Sequence, residues 1–163
     1  MTRRPVVAII MGSDSDLGVM SETAKILDGC GVPYQLKILS AHRSPDDVAR
    51  FARSARAKRL KVIIAGAGGA AHLAGVIASH TTLPVIGVPM ATEDLKGIDS
   101  LLSTVQMPSG VPVATVSIGK PGAKNAAILA MQILSLDNKG LEKWLTKFKK
   151  ELVEAIRAKN PVG

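Results

Sequence analysis

The sequence predicts an α/β protein built on a parallel five-stranded sheet. Short apolar runs rich in β-branched residues recur along the 163 residues, at positions 6–11, 34–39, 61–65, 84–88 and 113–118. The segments between these runs repeat apolar side chains at helical spacing, and a helical crossover makes the strands that it connects parallel. Aromatic residues are only 2% of the chain while apolar residues are 47%, so aliphatic side chains must fill the interior.

Helices are predicted between the strands and after the last of them. Between strands, the apolar spacing is clearest at Met20, Thr23, Ala24 and Leu27 and again at Val48, Phe51, Ala52 and Ala55. After the fifth run, two further helices are predicted at 123–136 and 141–156. Right-handed crossovers then place helices on both faces of the sheet. The length fits a single domain, 1–163.

The positive charge of the chain bears on its partners. Clustered Lys and Arg can neutralise the phosphates of nucleic acids, and the formal net charge here is +8. However, many of the basic residues fall at 50–61 and 139–159, where they alternate with apolar positions as solvated helix faces do. A nucleic-acid-binding module is therefore only a weak alternative, and we expect a small anionic ligand instead.

Cysteine content and the N-terminal residues bear on location and on metals. Cys30 is the only cysteine, so no disulfide can form within the chain, and no cluster has the spacing of zinc ligands. The apolar run at 6–11 is too short for a secretion signal or a membrane span. We expect a cytoplasmic protein with no metal and no membrane partner.

The loop after the first predicted strand is the first of three unusual loops. In open parallel sheets, ligands bind outside the carboxyl ends of the strands. Residues 12–16 read GSDSD and open a helix. One or two of these residues are ordinary helix caps. The whole cluster suits a ligand better, because hydroxyls such as that of Ser13 and free N–H groups bind phosphate, while Asp16 is a natural acceptor for sugar hydroxyls.

The loop after the second predicted strand carries the clearest candidate for acid–base chemistry. Residues 40–46 read SAHRSPD, in which Ser44 and Pro45 mark the start of a helix. His42 and Arg43 therefore lie in the loop, at the carboxyl edge of the sheet. Arginine offers a fork of donors for phosphate or carboxylate, and histidine can accept or donate a proton near neutral pH.

The loop after the third predicted strand is rich in glycine. Residues 66–72 read GAGGAAH, which formally matches a dinucleotide-binding turn and makes an NAD-dependent dehydrogenase an alternative. That alternative is weakened because the match is on the third strand and the next strand ends without an acidic residue for a ribose. The glycines also allow close approach to any flat ligand, and His72 adds a second ionisable group. His80 falls late in a helix and is expected to be structural.

These loops together resemble one family. Its matching segments here are GSDSD at 12–16, SAHRSPD at 40–46, GAGGAAHL at 66–73 and VQMPSGVP at 105–112. They resemble the class I N5-carboxyaminoimidazole ribonucleotide mutases of bacterial purine synthesis, the catalytic subunit of the former phosphoribosylaminoimidazole carboxylase. The likeness covers about residues 5–136 in order. It implies a catalytic core at about 1–136 and a C-terminal helix at 137–163 used in packing or oligomer contacts.

The resemblance implies a fold, an activity and an assembly. The fold is a flavodoxin-like three-layer sandwich. The activity is conversion of N5-carboxyaminoimidazole ribonucleotide to 4-carboxyaminoimidazole ribonucleotide in IMP biosynthesis, with no metal or organic cofactor, and the assembly is a homo-octamer. Class II relatives, which carboxylate aminoimidazole ribonucleotide directly, are the alternative. They typically carry Lys at the position of Arg43 and a different glycine loop, so class I is favoured.

The resemblance also implies roles for individual residues. Ser13 and Arg43 match positions at the substrate phosphate, Asp16 matches a position at the ribose hydroxyls, and His42 matches the catalytic proton carrier. The other two loops supply the rest of the expected substrate site, which is formed by Ser40, Gly68, Ala70, His72 and Leu73. Met107 is expected as a further lining residue.

Overall fold

The computed structural model describes residues 4–160 and places five strands in one sheet. The strands are β1 (Val7–Met11), β2 (Tyr34–Ile38), β3 (Val62–Ala67), β4 (Val85–Pro89) and β5 (Ala114–Thr115). Their order is β2-β1-β3-β4-β5, and every neighbouring pair is parallel. The predicted parallel five-stranded sheet is confirmed, and its order is that of flavodoxin-like folds.

Six helices alternate with these strands and follow them. They are α1 (Leu17–Gly29), α2 (Pro45–Ala55), α3 (Leu73–Ser79), α4 (Ile98–Val105), α5 (Gly119–Ser135) and α6 (Lys139–Arg157). Thr23 of α1 donates its hydroxyl to the carbonyl oxygen of Ala123 at 2.8 Å, which ties α1 to the start of α5 on one face. The other face carries α2 and α3, whose buried side chains share one apolar cluster with β1, β3 and β4.

The central strands form the core. All residues of β1 and β4, and the first five of β3, are buried, as expected for strands covered on both faces. The crossovers run from β1 outward to β2 and then back across to β3, so the chain changes direction between β1 and β3. Open α/β sheets bind ligands at the carboxyl end of such a switch point, which is where the loops at 12–16 and 66–72 meet.

The fifth strand and the following helix differ from the prediction. The run at 113–118 was expected to be a strand, but only Ala114 and Thr115 pair with β4. The next helix is predicted to begin at residue 123, but residues 119–122, with two glycines and Pro121, already form the first turn of α5. Proline is tolerated there because the first N–H groups of a helix have no partner within the helix.

The chain divides into two compact units, with the boundary after Ala130. The second unit contains α6, and Asn138 is the N-cap of that helix. The side chain of Asn138 accepts hydrogen bonds from the backbone N–H groups of Gly140 and Leu141 at 3.0 and 3.1 Å. Trp144 and Phe148 stack along this helix with ring centroids 5.2 Å apart. The sequence-based division into a core at about 1–136 and a helix at 137–163, within one domain, stays a prediction.

Gly122 is predicted to be required for stability. A Cβ at this buried position would overlap the backbone carbonyl oxygen of Ser117, and backbone cannot rotate away as a side chain can. Gly122→Ala should lower the free energy of unfolding by about 3 kcal/mol. Thermal melts should show no loss in a control, Gly29→Ala, because a Cβ there meets nothing within 4 Å. An unchanged melting temperature in Gly122→Ala would contradict this account.

Candidate active site

A cleft of about 410 Å³ lies at the carboxyl edge of β1, β2 and β3. It is formed by the three loops singled out in the sequence. Its lining residues are Gly12, Ser13, Ser15, Asp16, Ser40, Ala41, His42, Arg43, Ala67, Gly68, Ala71, His72 and Leu73. Eight of the ten residues predicted for the site are among them. The exceptions are Met107 and Ala70, which is exposed on the glycine loop; neither lines the cleft.

The loop after β1 forms a polar turn at the start of α1. Ser13 caps a short 3₁₀ turn (Asp14–Asp16), and its hydroxyl oxygen accepts from the backbone N–H of Ser15 at 3.4 Å. The same hydroxyl donates to a carboxylate oxygen of Asp14 at 3.0 Å. The turn therefore presents hydroxyls and N–H groups at a helix N-terminus, which is a favourable place for an anion.

Asp16 is a half-buried carboxyl group at the floor of this turn. Burial raises the pKa of Asp16 above its ordinary value, because the charged form loses hydration. Interactions with the Ser13 backbone, the Ser15 side chain and the Arg43 guanidinium oppose the effect without cancelling it. Ionisation of Asp16 therefore lowers the stability of the folded protein. A ligand that hydrogen-bonds to the carboxylate would offset that cost.

Asp16→Asn is predicted to stabilise the ligand-free protein at neutral pH. Because the pKa is raised on folding, the native state binds more protons than the unfolded state between pH ~3.8 and the folded pKa, so stability falls as pH rises through that window and the loss persists above it. Asparagine removes this penalty. Solvent screening keeps the gain below about 1 kcal/mol. Thermal melts at pH 7 and near pH 3 should show the advantage at the higher pH only, and a loss at pH 7 would contradict the argument.

Arg43 joins the first two loops. One terminal nitrogen, Nη2, donates to the carbonyl oxygen of Gly12 at 2.9 Å, and Nε lies 3.4 Å from the hydroxyl oxygen of Ser40. The guanidinium is exposed to the cleft and keeps further N–H donors on Nη1 and Nη2. It is therefore oriented by the protein and still able to bind a phosphate or carboxylate.

His42 and His72 form a direct pair across the cleft. Nε2 of His42 lies 2.7 Å from Nδ1 of His72, and the two rings meet edge to face with an interplanar angle of 82°. One nitrogen must donate and the other accept, so one proton lies between the rings in the neutral pair. Both side chains are exposed, which leaves the second nitrogen of each ring accessible to a ligand or to water. The arrangement can transfer a proton to or from a bound molecule.

The glycine loop forms the third wall. Gly69 and Ala71 both have positive φ, at 60° and 43°, which turns the chain tightly between β3 and α3. The backbone of Gly68 packs against Met90: a Cβ added there would lie 3.4 Å from the Met90 Cβ. Leu73, the first residue of α3, lines the cleft, whereas the sulfur of Met107 packs beside Gly75 instead.

Sequence reasoning missed some parts of the cleft. Gly12, Ser15, Ala41, Ala67 and Ala71 also line it. All five lie at or shortly after the carboxyl ends of β1, β2 and β3, which was the available signal. Alanine and glycine carry no chemistry that would mark them, and a serine such as Ser15 is an ordinary residue at a helix start. His80 directly follows α3, is half-buried and is not among the lining residues. Within residues 4–160, no three His, Cys, Asp or Glu side chains are grouped so that they could hold a metal ion.

The site can hold an anion, accept hydrogen bonds from hydroxyls and exchange a proton. On a flavodoxin-like sheet, with the cleft at the switch point, this combination is typical of an α/β enzyme that acts on a small phosphorylated molecule. Fold and cleft therefore define the class of protein before any relative is considered.

Comparison with known proteins identifies the family. A family model described as AIR carboxylase matches residues 6–155. The N5-carboxyaminoimidazole ribonucleotide mutase of Pyrococcus horikoshii is 53% identical over 97% of this chain and 88% of that protein. The mutase of the same name from Bacillus subtilis is 54% identical over 94% of each chain. The crystal structure of Treponema denticola PurE has a TM-score of 0.86 at 31% identity, covering 95% of this chain and 96% of that chain. This chain belongs to the AIR carboxylase family, as its loops predicted.

Proposed function

We propose that this chain is an isomerase that converts N5-carboxyaminoimidazole ribonucleotide to 4-carboxyaminoimidazole ribonucleotide in de novo purine biosynthesis. The observation that carries the proposal is the joint placement, in one cleft, of the His42–His72 pair and Arg43. A proton carrier and an anion-binding group are what a carboxylated ribonucleotide requires. The two relatives that are 53% and 54% identical bear the name of this mutase, which supports the choice of substrate.

In the proposed complex, the substrate phosphate lies at the start of α1. Ser13 and the free donors of Arg43 bind the phosphate there, with Ser40 beside them, and Asp16 accepts hydrogen bonds from the ribose hydroxyls. The imidazole and its carboxylate lie against the glycine wall, formed by Gly68, His72 and Leu73; Ala70, which the resemblance had placed there, is not part of it. The position of the cleft at a helix N-terminus and the oriented guanidinium support this direction of binding.

The proposed reaction begins by breaking the carbamate bond. The bond between the exocyclic nitrogen and the carboxylate carbon breaks, the nitrogen takes up one proton, and carbon dioxide remains in the cleft beside aminoimidazole ribonucleotide. The enzyme must then keep the carbon dioxide next to the ring. A wall of glycine and alanine backbone allows close approach and would do this by proximity.

The second half of the reaction forms the carbon–carbon bond. The electron-rich ring carbon attacks carbon dioxide, which leaves that carbon bearing both the new carboxylate and its original proton. Removal of the proton restores the aromatic ring. One proton is therefore given to nitrogen and one is taken from carbon, so a single group can serve both steps. We assign this role to His42, with His72 as its hydrogen-bonding partner.

An assay without ATP, metal or organic cofactor tests the function. The purified protein receives either N5-carboxyaminoimidazole ribonucleotide at low bicarbonate, or aminoimidazole ribonucleotide with bicarbonate. Rapid conversion of the first substrate is expected. Efficient use of only the second would assign the chain to the direct carboxylases instead, and conversion of neither would refute both.

We also propose that the chain forms a homo-octamer in the cytoplasm, with active sites at subunit contacts. The exposed side chains of Leu95, Ile98, Leu102 and Val105 lie on one stripe at α4, each about half exposed, and would be covered by a second copy. Native mass spectrometry should give eight times the chain mass of 17.0 kDa. Within the described residues, no helix is long and apolar enough to cross a membrane.

A further inference from the structure

Ser44 stands at the N-cap position of α2 without acting as a cap. A serine at this position normally accepts a hydrogen bond from a backbone N–H in the first turn of the helix. Within residues 4–160, the Ser44 side chain makes no such bond, although its backbone carbonyl accepts from the N–H of Val48 at 3.2 Å as the helix begins. The ordinary reason for a serine here therefore does not explain the position of its hydroxyl.

The Ser44 hydroxyl binds the start of the loop instead. It accepts from the backbone N–H of Ser40 at 3.1 Å and donates to the carbonyl oxygen of Ser40 at 3.2 Å. The backbone N–H of Ser44 also donates to that carbonyl, at 2.9 Å. The half-buried side chain of Ser44 thus holds both the backbone N–H and the backbone carbonyl of Ser40. These hydrogen bonds close residues 40–44 into a ring.

This ring fixes the residue that orients Arg43. The hydroxyl oxygen of Ser40 accepts from the backbone N–H of Arg43 at 3.1 Å and lies 3.4 Å from its Nε. With its stem held in this way, the guanidinium reaches the carbonyl oxygen of Gly12 and bridges the two loops. A contiguous series of hydrogen bonds therefore runs from Ser44 through Ser40 to the guanidinium.

We propose that Ser44 is a positioning residue for Arg43, and through it for the phosphate end of the substrate. The inference rests on the proposed function, because that function places a phosphate at Arg43. Ser44 is not among the residues that line the cleft, so it acts without touching the ligand. The benefit is preorganisation: a guanidinium held in place loses less conformational freedom when phosphate binds.

The test compares Ser44→Ala with Ser44→Thr in the full chain. Threonine keeps the hydroxyl and alanine removes it. Ser44→Ala should raise KM for the carboxylated ribonucleotide about tenfold, the effect of one hydrogen bond, and leave kcat within about twofold. Ser44→Thr should restore KM. In direct titrations, Ser44→Ala should weaken binding of aminoimidazole ribonucleotide by the same factor and leave binding of its nucleoside, which lacks the phosphate, unchanged.

A second serine on the same helix supplies the matched control. Ser54 donates its hydroxyl to the carbonyl oxygen of Phe51 at 3.1 Å and does not line the cleft, so Ser54→Ala should change neither KM nor kcat. If Ser44→Ala does not fold, Ser44→Gly removes the same hydroxyl with a residue accepted at helix starts. Equal weakening of nucleotide and nucleoside binding, or failure of threonine to restore KM, would overturn the inference. Wild-type turnover tests the proposed function separately.

Discussion

His42→Asn is expected to lower kcat by about two to four orders of magnitude without unfolding the protein. The proposed reaction needs one group that gives a proton to nitrogen and takes one from carbon. His42 is exposed in the cleft, and its Nε2 is 2.7 Å from Nδ1 of His72. An asparagine amide keeps hydrogen-bonding capacity near this position but does not titrate near neutral pH, so binding should persist while proton transfer fails.

Steady-state kinetics and a binding measurement separate these effects. The dissociation constant for aminoimidazole ribonucleotide should change by no more than a few fold in His42→Asn. His72→Asn should lower kcat less, by about tenfold, because it removes only the hydrogen-bonding partner of the proton carrier. His80→Asn is the matched control: it lies outside the cleft and should leave kcat unchanged. Near-normal turnover in a folded His42→Asn variant would exclude the proton-carrier role.

The central strands were predictable because both of their faces are buried. β1 and β4 are continuous apolar runs, and such runs have few alternatives in a chain that also shows helical spacing between them. β5 was predicted too long for the same reason. Its sequence is equally β-branched, but a strand forms only where a neighbouring strand pairs with it. Only two residues of β5 pair with β4. Local composition does not contain that information.

The loops of the site were predictable, but their internal geometry was not. The rule that ligands bind at the carboxyl edge of a parallel sheet selects residues 12–16, 40–46 and 66–72 without any structure. The approach of His42 to His72, which are 30 positions apart, depends on the spacing of two loops across the sheet. The hydroxyl of Ser44 shows the same limit: the sequence gives its place at a helix start, and only the folded loop shows that it binds Ser40.

Arg43→Ala is expected to raise KM for the carboxylated ribonucleotide by about tenfold to a hundredfold and to change kcat much less. Hydrogen bonds to charged groups contribute about 1.5–3 kcal/mol, and in the proposed complex the phosphate keeps its interactions with the arginine through both steps of the reaction. An interaction that is equally strong in ground and transition states changes KM rather than kcat. Loss of the 2.9 Å bond to Gly12 would also loosen the junction between the two loops.

Two further variants test whether substrate affinity comes from direct binding to the Arg43 guanidinium or from long-range attraction by the positive charge of the protein. Arg43→Lys keeps the charge but lacks the planar fork, so one ammonium cannot bind Gly12 and the phosphate as the arginine can; KM should rise by an intermediate factor.

Arg50→Ala lowers the formal charge of +8 by the same single unit as Arg43→Ala. Arg50 is exposed on α2 in an ion pair of 3.0 Å with Asp47, outside the cleft. Its removal should leave KM unchanged at ordinary ionic strength, because a distant exposed charge is screened. If Arg50→Ala and Arg43→Ala raised KM equally, long-range attraction would account for substrate binding and the phosphate site would have to lie elsewhere.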